Sequence, residues 1–272
     1  MCDDWIPETL VFAAGGSRHL LTLGFLVELD DRKMLDRVNC ICACSTGAII
    51  GLLLACGYTV REIVTFFAEM DFAKSITNFD VRTLISGVSL EYDDDFSSSI
   101  KNLVLAKFGY IPTLHELYSA TGVSLEIVVL DYKNKNALVL TKDSEGDLSC
   151  VDAILYTCTL PGMFHKHFYK GIEMAEGSLA SSYPISFTNQ QRKILGFFLS
   201  EINTNGQPNF VSYFNDIVAL LMFSNYRKEL RDSSFQGHQT IHLCFEAINT
   251  PEDKANALLK GVSRAKNWLE HV

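Results

Sequence analysis

The 272-residue chain predicts an α/β fold, a three-layer sandwich whose central, mostly parallel sheet is covered on both faces. Three observations carry that prediction. Runs such as T-L-V-F-A-A (9–14), L-E-I-V-V-L (125–130) and I-L-G-F-F-L (194–199) have strand length without apolar–polar alternation, as strands buried on both sides do. Stretches with apolar residues at helical spacing separate them. Hydrophobic residues make up 48% of the chain and charged ones 20%, a globular composition too apolar for disorder. No repeat, low-complexity block or Pro/Gly/Ser linker divides it, so one domain over residues 1–272 is expected.

The elements follow in order. Thr9–Ala14 is a strand ending at Gly15-Gly16, and an apolar-spaced helix runs from about His19 to Leu29. V-N-C-I-C-A is a second strand, and A-I-I-G-L-L-L-A-C a helix closed by Gly57. Thr59 has the place of an N-cap for V-R-E-I-V-T-F-F-A-E-M. The pattern is weak and rich in Asp and Ser from Asp71 to Asp95, which reads as an irregular connection. Pro112 precedes a helix in which Thr113 and Glu116 make a capping box. Leu125–Leu130 and residues 137–141 are strands joined by the polar D-Y-K-N-K-N. A helix covers Asp152–Cys158 and stops at Pro161-Gly162. Strand 194–199, a long helix Phe210–Leu230, strand Thr240–Phe245 and an amphipathic helix Pro251–Leu269 complete the chain.

Charge and cysteine usage narrow the function. Lys plus Arg is 23 against Asp plus Glu 32, a formal charge of −9. That balance, with no basic cluster, excludes nucleic acid as a partner, and it disfavours simple electrostatic adhesion to anionic lipid unless a local patch overrides the total. Most of the eight cysteines lie in apolar runs, where a thiol behaves as a small hydrophobe. There is no C-x-x-C pair and no zinc-finger spacing, so no metal and no cofactor are expected. Reduced thiols and the acidic start M-C-D-D-W-I-P-E, unlike a secretory signal, point to a cytoplasmic location.

The stretch from Val38 to Gly57 carries no charge and admits three readings. It is nominally long enough to span a membrane, but Asn39, Ser45, Thr46 and three glycines dilute it. Alternatively it is a strand turning sharply into a helix with Ser45 at the bend. A nucleophile elbow needs small residues two places before and after the serine, and Ala43 and Gly47 stand there. The N-terminus of the following helix would favour negative charge beside the serine. In the third reading Ser45 merely caps a buried helix.

Two further segments bear on that choice. Residues 12–26, F-A-A-G-G-S-R-H-L-L-T-L-G-F-L, resemble the glycine-rich oxyanion loop of patatin-like phospholipases, G-G-G-x-[RK]-G. Residues 41–47 resemble that family's G-x-S-x-G elbow, and 171–185, G-I-E-M-A-E-G-S-L-A-S-S-Y-P-I, its D-G-[GA] segment. P-T-L-H-E-L-Y-S-A-T-G-V-S-L-E-I-V-V-L-D, A-I-L-Y-T-C-T-L-P-G-M-F and the final helix are similar to further stretches of the family, in the same order along nearly the whole chain. The resemblance implies a Ser-Asp dyad without histidine. Ser45 takes the place of the nucleophile and Glu176 that of the aspartate. Gly15 and Gly16 would supply the oxyanion-hole N–H groups, with Arg18 fixing the loop.

Four positions depart from the family's pattern. Ala14 and His19 replace the first and last glycines of the loop, Ala43 replaces the first glycine of the elbow, and Glu176 replaces the aspartate. Ala14 suits the loop if its φ is negative, and His19 adds bulk and a titratable group behind it. The extra methylene of Glu176 shifts its oxygens by about 1 Å, and misplacement of that order can cost ~100-fold in rate.

His165 and His167 alternate as on a strand and read as exposed hairpin residues, with catalytic or headgroup contact as the alternative. Asp93–Asp95 reads as solvated surface, and Asp131 and Asp152 as turn or capping residues. The functional expectation is a lipid acyl hydrolase acting on phospholipid or neutral glyceride at a membrane surface, held there peripherally. The alternative is a catalytically weak or inactive module that binds lipid or a protein partner.

Overall fold

The computed structural model describes residues 5–70, 94–161, 164–201, 238–245, 248 and 250–272. Its strands are β1 (Thr9–Phe12), β2 (Cys40–Ala43), β3 (Ser124–Asp131), β4 (Asn136–Leu140), β5 (His167–Tyr169), β6 (Ile172–Ala175), β7 (Ile194–Glu201) and β8 (His238–Phe245). They form one sheet in the order β5-β6-β3-β2-β1-β7-β8, with β4 also paired to β3. The five strands β3, β2, β1, β7 and β8 are mutually parallel, while β4, β5 and β6 add antiparallel pairs at one side. The sheet is the mixed, mostly parallel one that the apolar runs predict.

β1 lies in the middle, with Phe12 level with Ala43 of β2 and Phe197 of β7. Its side chains alternate between two cores. Leu10 and Phe12 join a large cluster beneath the helices, whereas Val11 and Ala13 join Cys42, Cys44, Val128, Tyr183 and Phe198 on the other face. Aromatic rings pack the first core: Phe197 stacks on Phe12 at 5.7 Å between centroids and meets Phe25 edge-on at 5.3 Å. Among the described residues, a short 3-10 turn, Pro184–Phe187, lies against the second.

The helices are α1 (His19–Asp31), α2 (Thr46–Ala55), α3 (Val60–Glu69), α4 (Asp94–Phe108), α5 (Leu114–Thr121), α6 (Cys150–Thr157) and α7 (Pro251–Leu269). The capping box expected at Thr113 is present, and Thr59 forms another: each threonine accepts from the N–H three residues on, and Glu116 and Glu62 reach back to the cap N–H. α7 has the predicted bounds, started by Thr250 and Pro251.

One expectation needs correction, and one further strand is added to the reading. Asp94 and Asp95 are not irregular but open α4, a helix the sequence reading left unassigned. Its Phe96, Ile100 and Val104 recur at four-residue intervals and are buried. β6 was likewise unassigned, because four residues joined to a three-residue partner give too short a period to read. The remaining expectations on 71–93 and the helix expected at Phe210–Leu230 lie outside the described residues.

Residues 38–60 divide into β2, a bend and α2, and no helix among the described residues is long and apolar enough to cross a membrane. Cys40, Cys42, Cys44, Cys56, Cys150 and Cys158 are buried thiols outside any disulfide, and the Cys244 thiol is partly exposed.

Candidate active site

The C-terminal ends of β1 and β2 lie side by side, so the two loops that follow them converge. After β2 the chain turns at Ser45, with φ 52° and ψ −139°, directly into α2. Serine rarely adopts this conformation, which costs on the order of 1–3 kcal/mol and persists only where the surroundings enforce it. Packing enforces it here. A Cβ on Gly47 would overlap the carbonyl of Ala13 and lie 2.8 Å from Phe12 Cβ, so glycine lets α2 press against the end of β1. Ala43 is fully buried without positive φ, which explains why one methyl is accepted there.

Glu176 arrives from the other side, immediately after β6. The Ser45 hydroxyl donates to Glu176 Oε2 at 3.1 Å, across 131 residues of sequence. Glu176 Oε1 accepts the Ser178 N–H at 3.1 Å, and its own N–H donates to the Thr159 carbonyl at 2.7 Å. The longer side chain therefore still reaches the serine. Its carboxyl is buried, and burial pushes its pKa up to about 7, against hydrogen bonds from Ser178 and Ser45 that favour the charged form. A base whose pKa lies near neutral is suited to accept and return a proton at that pH.

The loop after β1 forms the floor. Gly16 has φ 56°, a conformation that favours glycine. Arg18 Nε donates to the Gly15 carbonyl at 3.1 Å. Within that peptide plane the C=O and the following N–H point in opposite directions, so anchoring the carbonyl also aims the Gly16 N–H. That N–H donates to the Thr46 hydroxyl at 2.8 Å, so one of the two N–H groups expected to meet an oxyanion already has an acceptor. Ala14 does not have positive φ and fits the loop. The first turn of α2 adds N–H groups that precede its first internal bond, from Ala48 N–H to the Ser45 carbonyl at 2.8 Å.

His19 is not a titrating group at the site. Its ring is fully buried, and burial, opposed by the Ala13 bond and aided by nearby Arg18, lowers its pKa to about 3. The neutral ring sits 2.9 Å from the Ala13 carbonyl through Nε2; a carbonyl only accepts, so Nε2 carries the hydrogen. The ring also underlies Gly15, where an added Cβ would lie 3.3 Å from it. His19 is thus a peg behind the loop.

His165 is exposed as expected. His167 is half-buried rather than exposed, its ring 5.5 Å from that of Tyr156, and burial lowers its pKa. Asp131 has a turn role, accepting from Lys133 N–H, Asn134 N–H and the Asn134 side-chain amide. Among the described residues no group of three or more His, Cys, Asp or Glu side chains is placed to hold a metal ion.

Thr157, the last residue of α6, was missed in the sequence. Its buried hydroxyl accepts the Ser45 N–H at 2.9 Å and donates to the Val128 carbonyl at 2.6 Å, tying the bend to β3. The available signal was a small hydroxyl closing the apolar run V-D-A-I-L-Y, where the helix ends. In Thr157→Val, both partners lose a buried hydrogen bond. We expect about 1–3 kcal/mol lower stability by denaturant melts and turnover reduced about tenfold or more as the serine drifts, with Thr157→Ser restoring both.

Comparison with known proteins bears on this arrangement. The family model described as Patatin-like phospholipase matches residues 10–188, a span that contains both Ser45 and Glu176. A probable lipid hydrolase, 463L of Invertebrate iridescent virus 6, is 23% identical over 228 residues, covering 80% of this chain and 76% of that protein. A cGAMP-activated phospholipase of Escherichia coli (strain TW11681) is 27% identical over 197 residues, covering 65% of this chain and 53% of that protein. The crystal structure of VipD from Legionella pneumophila superposes with a TM-score of 0.59 at 14% identity, over 97% of this chain and 67% of that one. At that identity the likeness is one of fold.

Proposed function

The chain belongs to the patatin-like phospholipase family, and from that premise we propose that it is a lipid acyl hydrolase working through an acyl-enzyme at Ser45. The observation that carries the proposal is the hydrogen bond from the strained Ser45 to the buried Glu176 carboxylate at 3.1 Å. In the proposed reaction Ser45 Oγ attacks the ester carbonyl carbon of a phospholipid or neutral glyceride while Glu176 takes its proton. Negative charge develops on the carbonyl oxygen, beside Gly15, Gly16 and the N-terminus of α2. Collapse breaks the ester C–O bond, the departing alcohol takes the proton from Glu176, and the acyl group stays on Ser45. Water then attacks the acyl carbon as Glu176 again accepts a proton, the bond from the acyl carbon to Ser45 Oγ breaks, Oγ takes that proton back from Glu176, and free fatty acid leaves.

The test is fatty-acid release from phospholipid vesicles by the wild-type protein and Ser45→Ala. Release that the variant lacks supports the reading, and equal release from both removes Ser45 from the nucleophile's role. A second reading, a lipid-binding module without turnover, is favoured by the Thr46 hydroxyl on the Gly16 N–H. It expects Ser45 to resist a fluorophosphonate that labels serine hydrolases, and Thr46→Val, which frees that N–H, to leave turnover absent. Brisk labelling of Ser45 would reject it.

A further inference from the structure

Two turns beside the site carry a charge pattern opposite to that of the chain. The β3–β4 turn reads Y-K-N-K-N over residues 132–136, and the hairpin of β5 and β6 reads H-K-H-F-Y-K-G over 165–171. Neither contains a carboxylate, in a chain of net charge −9. The turns are neighbours in space, since Tyr132 N–H donates to the Glu173 carbonyl. The Tyr132 ring also lies beneath Lys135 Nζ at 3.6 Å and Lys166 Nζ at 5.8 Å.

The sheet register sets their height. Ala43 is level with Ile127, and β3 continues to Asp131 before it turns. β6 pairs Met174 with Asp131 and Ala175 with Leu130, so its hairpin extends past the same level. Both turns therefore stand roughly 10 Å beyond the bend at Ser45, at the end of the sheet on which the serine lies.

Their outermost groups are cations and one large apolar ring. Lys133 and Lys135 are exposed. Lys166 and Lys170 are 64% and 63% exposed, and the carboxylates they pair with, Glu173 and Glu145, are set back at 20% and 23%. Phe168 is 59% exposed, the second most exposed of the large hydrophobic residues described. Positive heads outside, carboxylates behind and a protruding aromatic ring complement an anionic bilayer, where lysine meets headgroup phosphate and an aromatic ring enters the interface.

We propose that residues 132–136 and 165–171 form a docking rim for an anionic phospholipid bilayer, placing Ser45 toward the membrane. This proposal rests on the lipid-hydrolase reading for its biological sense, but not for its test. The full chain is sedimented with phosphatidylcholine vesicles with and without phosphatidylserine, and its hydrolysis of a short-chain soluble ester is measured in parallel. Wild type is expected to bind the phosphatidylserine vesicles preferentially and to be released by salt. Lys133→Gln/Lys135→Gln is expected to weaken that binding about 25-fold, at about fivefold per lysine. Phe168→Ser is expected to weaken it severalfold at any salt concentration. Retained melting temperatures show that both variants are folded.

Wild-type protein that binds neither vesicle or both equally, or rim variants that bind like wild type, would overturn the rim. The hydrolase reading fails separately: a wild type inert toward the soluble ester and toward phospholipid, yet sedimenting with the expected lysine dependence, keeps the rim and removes the enzyme. Ester turnover without any lysine dependence of sedimentation does the reverse.

Discussion

Ser45→Ala is expected to lower ester turnover at least about a thousandfold while leaving the fold intact, because only the attacking oxygen is removed. Ser45→Gly should be equally inactive but more stable than wild type. Glycine, having no Cβ to crowd the backbone, adopts φ near 52° readily, so relief of the bend should raise stability by about 1–3 kcal/mol in urea melts. A catalytically dead variant that melts higher would identify the bend as strain retained for reactivity. If Ser45→Gly instead melts below Ser45→Ala, the conformation at 45 is not strained and the argument for an enforced elbow fails.

Glu176 gives the second large effect, and it depends on pH. A base must be ionised to accept the serine proton. With its pKa pushed up to about 7, turnover should rise about tenfold per pH unit below 7 and level off above it. Stability should move the other way. The folded protein holds this proton more tightly than the unfolded chain, where the carboxyl ionises near 4.5. Stability is thus lost as pH rises from 4.5 through 7, by about 3 kcal/mol in full.

His19 opposes it. With its pKa lowered from 6.5 to about 3, the folded protein binds that proton less tightly than the unfolded chain, so stability is lost as pH falls below 6.5. The two contributions nearly cancel between about 4.5 and 6.5, and the carboxyl is best read as the difference between wild type and Glu176→Gln. That variant should lose turnover about a hundredfold or more and lose the decline in stability on approach to pH 7. A turnover profile unchanged from pH 5 to 8 would remove Glu176 from the base's role.

Much of the fold was legible because its signals are local. A threonine followed three residues later by glutamate marks Thr59 and Thr113 as helix starts, and unbroken apolar runs mark buried strands. α4 escaped because Ser97, Ser98, Ser99, Lys101 and Asn102 fill the gaps between its buried residues and mask a clear four-residue period. At the site, Ser45 and Glu176 could be placed by the order of short motifs. Their separation could not, since it depends on where β6 ends against β3. Thr157 acts on a residue 112 positions away, a relation that no window along the chain contains. His19 was misjudged for another reason: a histidine's proton affinity follows from its surroundings, and only the fold reveals that this ring is dry.

The buried thiols give the protein a built-in reporter of its own opening. Cys40 and Cys56 are pushed up to about 12 by burial, and burial raises Cys150 and Cys158 as well. At neutral pH they are protonated and enclosed, hence unreactive toward iodoacetamide or an aromatic disulfide. Each can be modified only when the segment holding it separates from its neighbours. Cys40 sits on β2, Cys56 behind α2, and Cys150 and Cys158 bracket α6. The order in which these sulfurs are alkylated under mild denaturant would therefore rank the strand before Ser45 and the helices on either side of it by the ease with which they detach.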